Sequence, residues 1–308
     1  MDVMNLLINK LGANLTANDL IYGFIACLVA IWMGISLAKK QANTYKPQSH
    51  VGAVAPELGN GNLPLVNHVD YGDMRFLHLG TPWVQGSMKI SKPYEIHLEY
   101  VQRMMGWLLV TDLDQVHRLQ AMQLGLGAAS LTKFCHLQLG MHTTAVELNP
   151  QVIDTCRRWF NLPDDNAKLQ VLQADAGVIA QRDEWHGKID VLQVDLYDQE
   201  AAYPALDSEE FYANCRQLLN EQGCMVVNLY GRESNLQTSI NRITKVFGNY
   251  ALWAFKPTTA GNSIVMAFRT PRTFDKSALL AQAQKIQTRW PLPATKWLKA
   301  LAPVRINT

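Results

Sequence analysis

The sequence predicts an α/β protein: a doubly wound, mostly parallel sheet preceded by a small antiparallel β unit. Three observations carry this. Apolar runs at Leu119 to Leu124, Thr143 to Val146, Leu169 to Leu172 and Ile189 to Val194 have strand length, and the intervals between them leave room for crossover helices. The first run leads into a two-glycine turn, Gly125-Leu126-Gly127-Ala128-Ala129-Ser130. The later runs close on acids, Glu147, Asp175 and Asp195, with Asp198 three residues on. Parallel strands that deliver acids along one edge outline a binding crevice at the carboxyl end of a sheet.

Composition narrows the class. With 308 residues, 48% hydrophobic and 18% charged, the chain holds one large domain plus appendages. A net charge of +2 without a long basic run argues against nucleic acid as the main partner. The five cysteines show no CxxC pattern and read as buried free thiols in a reducing compartment. The eight histidines lack ligand spacing, so no metal site is expected.

Taken in order, residues 1–40 form an N-terminal segment whose stretch 20–38 carries no charge and is closed by Lys39-Lys40. As a helix it spans roughly 28 Å, enough for a bilayer core. Lys39, Lys40 and Lys46 outweigh Lys10, so the positive-inside bias faces the bulk of the chain to the cytoplasm, as in a single-pass inner-membrane protein. A signal peptide cleaved after Ser36-Leu37-Ala38, a buried core helix, or a misassigned start that leaves a soluble cytoplasmic chain are the competing readings. Residues 41–62 are polar, with Pro and Gly, and read as a linker.

Residues 63–95 hold short β-like runs, Leu65 to Val69, Arg75 to Leu79 and Trp83 to Gln85, around a turn at Asp70 to Asp73. From Pro93 a helix is expected with Ile96, Tyr100, Val101, Met104, Met105 and Leu108 on one face, a core stripe. The sheet domain occupies 96–270. Two glycines in an apolar turn are also compatible with plain tight packing. The acid twenty positions past Gly127, Glu147, raises the nucleotide reading, because a βαβ unit puts a carboxylate there under a ribose diol. Ser208 caps a helix with Glu209 and Glu210 in its first turn, Gly223 is expected to end it, and Cys224 to Leu229 is a fifth strand. A helix at Leu236 to Phe247 precedes two runs, Ala251 to Phe255 and Ser263 to Phe268, that read as a closing antiparallel pair. That ending favours a seven-stranded S-adenosyl-nucleotide fold over further parallel units. Residues 271–308 form a helical tail, with helices around Ser277 to Thr288 and Thr295 to Leu301.

The succession of small β unit, helix, GxG turn, Val-Glu-x-x-Pro, Asp-Ala, Val-Asp-x-x-Asp and Leu-x-Ser-x-x-Phe-Tyr resembles the spermidine synthase (polyamine aminopropyltransferase) family over about Val66 to Arg269. The resemblance implies a methyltransferase-like fold, decarboxylated S-adenosylmethionine as co-substrate, aminopropyl transfer to a small-molecule amine and homodimers or larger assemblies. It implies that Gly125 and Gly127 shape the nucleotide turn, Glu147 holds the ribose, Asp175 and Ala176 meet the adenine, and Gln85 faces the nucleoside. Asp195 matches the catalytic acid and Asp198 the second acid of its loop. Chemistry agrees, since an amine is protonated at neutral pH and a carboxylate becomes an effective base only when burial or a second acid raises its pKa. A plain capping role for both acids is the alternative.

The acceptor side departs from the family. Its turn carries an Asp where this chain has Ala128, its Tyr-His pair falls on His97-Leu98, and bulky Leu196-Tyr197 separates the two acids. Losing one carboxylate weakens a dication by about 1.5–3 kcal/mol. The acceptor is therefore open. Methyl transfer from S-adenosylmethionine itself, and non-catalytic nucleotide binding, stand as alternatives.

Overall fold

The computed structural model describes residues 63–197, 206–230 and 233–305. The expected membrane helix over 20–38, Asp198 and Tyr203-Pro204 lie outside these residues. Among the described residues no helix is long and apolar enough to cross a membrane.

A three-stranded antiparallel sheet comes first: β1 (Asn67–Tyr71), β2 (Met74–His78) and β3 (Val84–Lys89). Tyr71 pairs with Met74 across a two-residue turn in which Gly72 adopts φ +57°, a conformation glycine takes without strain. The expected long helix after Pro93 is shorter. Only Glu99–Arg103 is α-helical (α1), followed by a 3₁₀ turn, Gly106–Val110. The close approach of this segment to the sheet accompanies the break, because a Cβ at Gly106 would press on the Phe255 ring. The apolar stripe itself is core: Ile96, Val101, Met104, Met105 and Leu108 are buried.

Five parallel strands follow, separated by helices: β4 (Gln120–Leu124), α2 (Ser130–Lys133), β5 (His142–Glu147), α3 (Pro150–Trp159), β6 (Leu169–Gln173), α4 (Ala176–Ala180), β7 (Ile189–Val194), α5 (Glu209–Leu218) and β8 (Leu219–Tyr230). Then come α6 (Glu233–Phe247), β9 (Leu252–Phe255), β10 (Asn262–Phe268), α7 (Lys276–Arg289), α8 (Ala294–Trp297) and β11 (Leu301–Pro303). The large sheet runs β11-β9-β10-β8-β7-β4-β5-β6 and has eight strands, one more than expected. The addition is β11, in a tail expected to be helical; the helix expected at Thr295 to Leu301 is the short α8, which ends at Trp297. The strand β11 pairs antiparallel with β9 at the sheet edge, where Pro303 has no inner ladder bond to lose. Gly223 also departs from expectation. The helix ends at Leu218, and Gly223 lies inside β8, where a Cβ would crowd the Ile189 carbonyl.

Both faces of the sheet are covered, so its strands alternate between two cores. Met122, Leu124, Leu192, Val194, Met225 and Val227 pack with α4, α5 and α6. Ala121, Val191, Cys224, Val226 and Met266 face the other way, onto Trp107, Leu108, Phe134 and the C-terminal Leu279, Ile286 and Trp297. The tail is thus part of this core. A third cluster joins Leu77 and Met88 of the small sheet to Leu126, Ala128 and Ala129 of the glycine turn and to Val152 and Phe160. It holds the small sheet over the carboxyl edge of the large one.

Candidate active site

The turn after β4 is built from close approaches. Gly125 has φ +93°, and a Cβ there would overlap the Asp195 carbonyl oxygen. Glycine therefore lets the ends of β4 and β7 come together, which the Asp195 N–H to Leu124 carbonyl bond at 2.9 Å continues. Gly127 has φ +50°, and a Cβ there would stand 3.3 Å from the Gln85 carbonyl. Ala129, at φ 57°, bears the cost of a left-handed conformation on a side chain. Next to Gly127, Ala128 is 4% exposed, and a Cβ on Gly86 would lie 2.7 Å from its Cβ. The Ala128 position is sealed beneath β3.

Gln85, Gly125, Gly127, Glu147, Asp175, Ala176 and Asp195 all line one cavity of about 1000 Å³. Its size suits a nucleoside-sized ligand. Glu147 receives the Leu126 N–H at 3.1 Å on one oxygen and the Asn149 N–H at 2.9 Å on the other. Burial raises its pKa, and these amide donors oppose the rise. The carboxylate is oriented by backbone alone, with lone pairs left for a diol. Asp175 is exposed and caps α4, with Oδ1 accepting from the Val178 N–H at 3.0 Å.

Asp195 stands at the end of β7, half-buried. Asn228 Nδ2 donates to its Oδ1 at 2.9 Å, and the Tyr100 hydroxyl donates to the same carboxylate. Burial raises the Asp195 pKa and the two donors pull against it. The network extends outward. Asn262 Nδ2 donates to Asn228 Oδ1 at 3.2 Å, and the Tyr197 hydroxyl donates to the Asn228 carbonyl at 2.7 Å. The pKa of Tyr100 is raised well above its usual value, by burial first and by Asp195 second. Both tyrosines therefore remain neutral donors at ordinary pH.

Sequence reading missed Tyr100 and Asn228. Tyr100 belonged to an apolar stripe and was assigned to the core, although a buried hydroxyl in such a stripe calls for a partner. Asn228 interrupts the run Cys-Met-Val-Val-Asn-Leu near the carboxyl end of its strand, the edge where ligands bind in such sheets.

Comparison with known proteins fits this architecture. The spermine/spermidine synthase domain matches residues 113–274. A polyamine aminopropyltransferase of Neisseria meningitidis is 34% identical over 240 residues, which are 77% of this chain and 89% of that protein. The chain belongs to the spermine/spermidine synthase family. A second polyamine aminopropyltransferase, from Chromobacterium violaceum, is 32% identical over 80% of this chain and 92% of its own length. Among solved structures, a probable spermidine synthase from Corynebacterium glutamicum superposes with a TM-score of 0.60 at 17% identity, over 84% of this chain and 98% of that one. That likeness concerns the fold. The Rossmann-like, methyltransferase-type architecture read from the sequence is the one observed.

Proposed function

We propose that this chain is a transferase of the polyamine-forming type, moving an aminopropyl group from decarboxylated S-adenosylmethionine to an amine, with Asp195 as general base. The observation that carries the reading is a carboxylate whose pKa burial raises, set in the same cavity as the glycine turn and Glu147. Membership in the family supports it.

An acceptor amine arrives as an ammonium and has no lone pair to attack with. Asp195 removes one proton, and the raised pKa makes it a better base than a free carboxylate. The freed nitrogen attacks the propyl carbon bonded to sulfur. A C–N bond forms, the C–S electron pair returns to sulfur, and methylthioadenosine leaves as a neutral thioether. Tyr100 and Asn228 hold the carboxylate in line for this step. Glu147 would accept the ribose hydroxyls, Asp175 and Ala176 would border the adenine, and Gln85 with Gly125 and Gly127 would shape the nucleoside bed. Asp198 serves as a second acid on the attacking ammonium. In this reading residues 63–95 form the small β domain, 96–270 the catalytic domain and 271–308 its C-terminal extension. The uncharged stretch 20–38 supports a membrane tether, and fractionation of the full chain against one lacking residues 1–40 tests it.

The deciding experiment incubates the full chain with decarboxylated or ordinary S-adenosylmethionine and a panel of amines. Amine-dependent methylthioadenosine is the expected product, whereas S-adenosylhomocysteine would replace the reading by methyl transfer. Asp195→Asn should lower kcat by about 10²–10⁴ while leaving nucleoside affinity in place. Unchanged turnover in that variant would remove Asp195 from the role of base.

A further inference from the structure

The Asp195 carboxylate is held by an amide that is itself held. Asn228 is buried near the end of β8, and Asn262 opens β10 opposite Tyr230 in the antiparallel ladder. This register makes Asn228 and Asn262 diagonal neighbours on one face of the sheet. Asn262 Nδ2 donates to Asn228 Oδ1 at 3.2 Å, and Asn228 Nδ2 donates to Asp195 Oδ1 at 2.9 Å.

The direction of these two bonds follows from chemistry. An ionised carboxylate only accepts, so the Asn228 amide must turn its nitrogen to Asp195 and its oxygen away. That oxygen then needs a donor, and among the described residues the Asn262 amide supplies it. The Asn228 backbone is fixed separately, by the Tyr197 hydroxyl on its carbonyl at 2.7 Å. Without the Asn262 donor, the preference between the two orientations of the Asn228 amide weakens. A turned amide would set its oxygen against Asp195, repelling the carboxylate and accepting from the protonated acid.

Asn262 is placed without the use of its side chain. The Thr258 N–H donates to the Asn262 carbonyl at 2.8 Å, and the Gly261 N–H to the Thr258 carbonyl at 2.9 Å. The Asn262 N–H closes the turn on the Thr258 hydroxyl at 3.1 Å. The turn also lies close on Tyr230, since a Cβ at Gly261 would stand 3.1 Å from that ring. The amide of Asn262 is thus free to act outside its own turn.

From this geometry, and resting on the reading of Asp195 as base, we propose that Asn262 is a positioning residue for the transfer, fixing the Asn228 amide so that its N–H faces Asp195. Its action on Asp195 runs through Asn228. The turn between β9 and β10 thereby takes part in keeping the base ionised and ready for the proton.

The test follows kcat against pH with the full chain, decarboxylated S-adenosylmethionine and an amine of the panel above that yields methylthioadenosine. Among the described residues, the titratable groups that interact with Asp195 are Tyr100 from α1 and Tyr197 after β7; burial raises both, so neither titrates beside it. Asn262→Leu removes the donor at similar size. It should move the acidic limb to higher pH and lower the plateau by about threefold to tenfold, leaving the KM for decarboxylated S-adenosylmethionine in place. Asn262→Ala, which adds no bulk, should do the same. In an Asn228→Ala background neither substitution should shift the limb further. An unmoved limb in both variants, with Asp195→Asn still losing kcat, overturns this inference and leaves Asp195 as base. A shift in the double variant as large as in the single also overturns it, because Asn262, which lines the cavity, would then act on the substrate directly. Full turnover in Asp195→Asn overturns both.

Discussion

At the scale of single residues, the chemistry of this site rests on how a carboxylate is held. Asp195 would be an ordinary weak base on a solvated loop. Its environment opposes two effects, burial that raises the pKa and donors from Asn228 and Tyr100 that lower it. Removing a donor that favours the charged form shifts the balance toward burial. Asn228→Ala should therefore move the acidic limb of the kcat profile to higher pH and lower the plateau by about tenfold. A pH–rate profile checks this, and an unmoved limb would deny Asn228 its part. Asp195 was legible from sequence because acids at strand ends are a local pattern. Its partners were not, because Tyr100 and Asn228 lie 95 and 33 positions away and meet it only after folding.

At the scale of elements, the strands carrying these residues are kept in register by a buried polar pair. Gln123 of β4 and Gln193 of β7 are direct neighbours in the parallel ladder, and Gln123 Nε2 donates to Gln193 Oε1 at 2.9 Å. Gln193 Nε2 in turn donates to the Met104 carbonyl at 3.2 Å, tying the sheet to the segment after α1. Both side chains are at most 1% exposed, so neither can turn to water. Gln193→Leu strands the Gln123 amide and should cost about 1–3 kcal/mol in chemical denaturation. The double Leu variant should recover part of that loss, since two apolar groups then face each other. A double variant less stable than the single one would show that the pair does not act as a unit. Element identity was readable from apolar runs, while helix ends were not. The expected helix after Pro93 gives way to a 3₁₀ turn where Gly106 packs against the Phe255 ring, and the helix expected near 295–301 ends at Trp297, ahead of the edge strand β11.

At the scale of the whole molecule, one cation holds several parts together. Lys133 is 1% exposed, and its Nζ donates to the carbonyls of Phe160 at 2.5 Å and Pro93 at 2.9 Å and contacts Met88 Sδ at 3.4 Å. It thereby links α2, the end of α3, the approach to α1 and the small sheet. Burial lowers its pKa from 10.5 to about 8. The unfolded chain therefore binds this proton more strongly between about 8 and 10.5, and stability attributable to Lys133 rises with pH across that window. Measured as the difference from Lys133→Met, unfolding free energy should gain about 2 kcal/mol from pH 7.5 to pH 10. Taking the difference cancels the buried thiols of Cys135, Cys215 and Cys224, which titrate high and act in the opposite sense. A flat difference would mean the ammonium is not desolvated.

The division between sequence and tertiary structure follows the range of the forces. Strand positions, the glycine turn and the acids closing each strand are local signals, since periodicity, backbone freedom and edge charge are all expressed within a few residues. They carried the fold class, the family and the glycine-turn side of the cavity. The edge strand at Leu301–Pro303, the burial of Ala128 beneath Gly86 and the Tyr100–Asp195–Asn228 network came only with packing. Each depends on which surfaces meet once distant elements pack together. The Asp195 end of the cavity was least legible for the same reason: its character is the sum of side chains from four segments distant in sequence, and no one of them announces it alone.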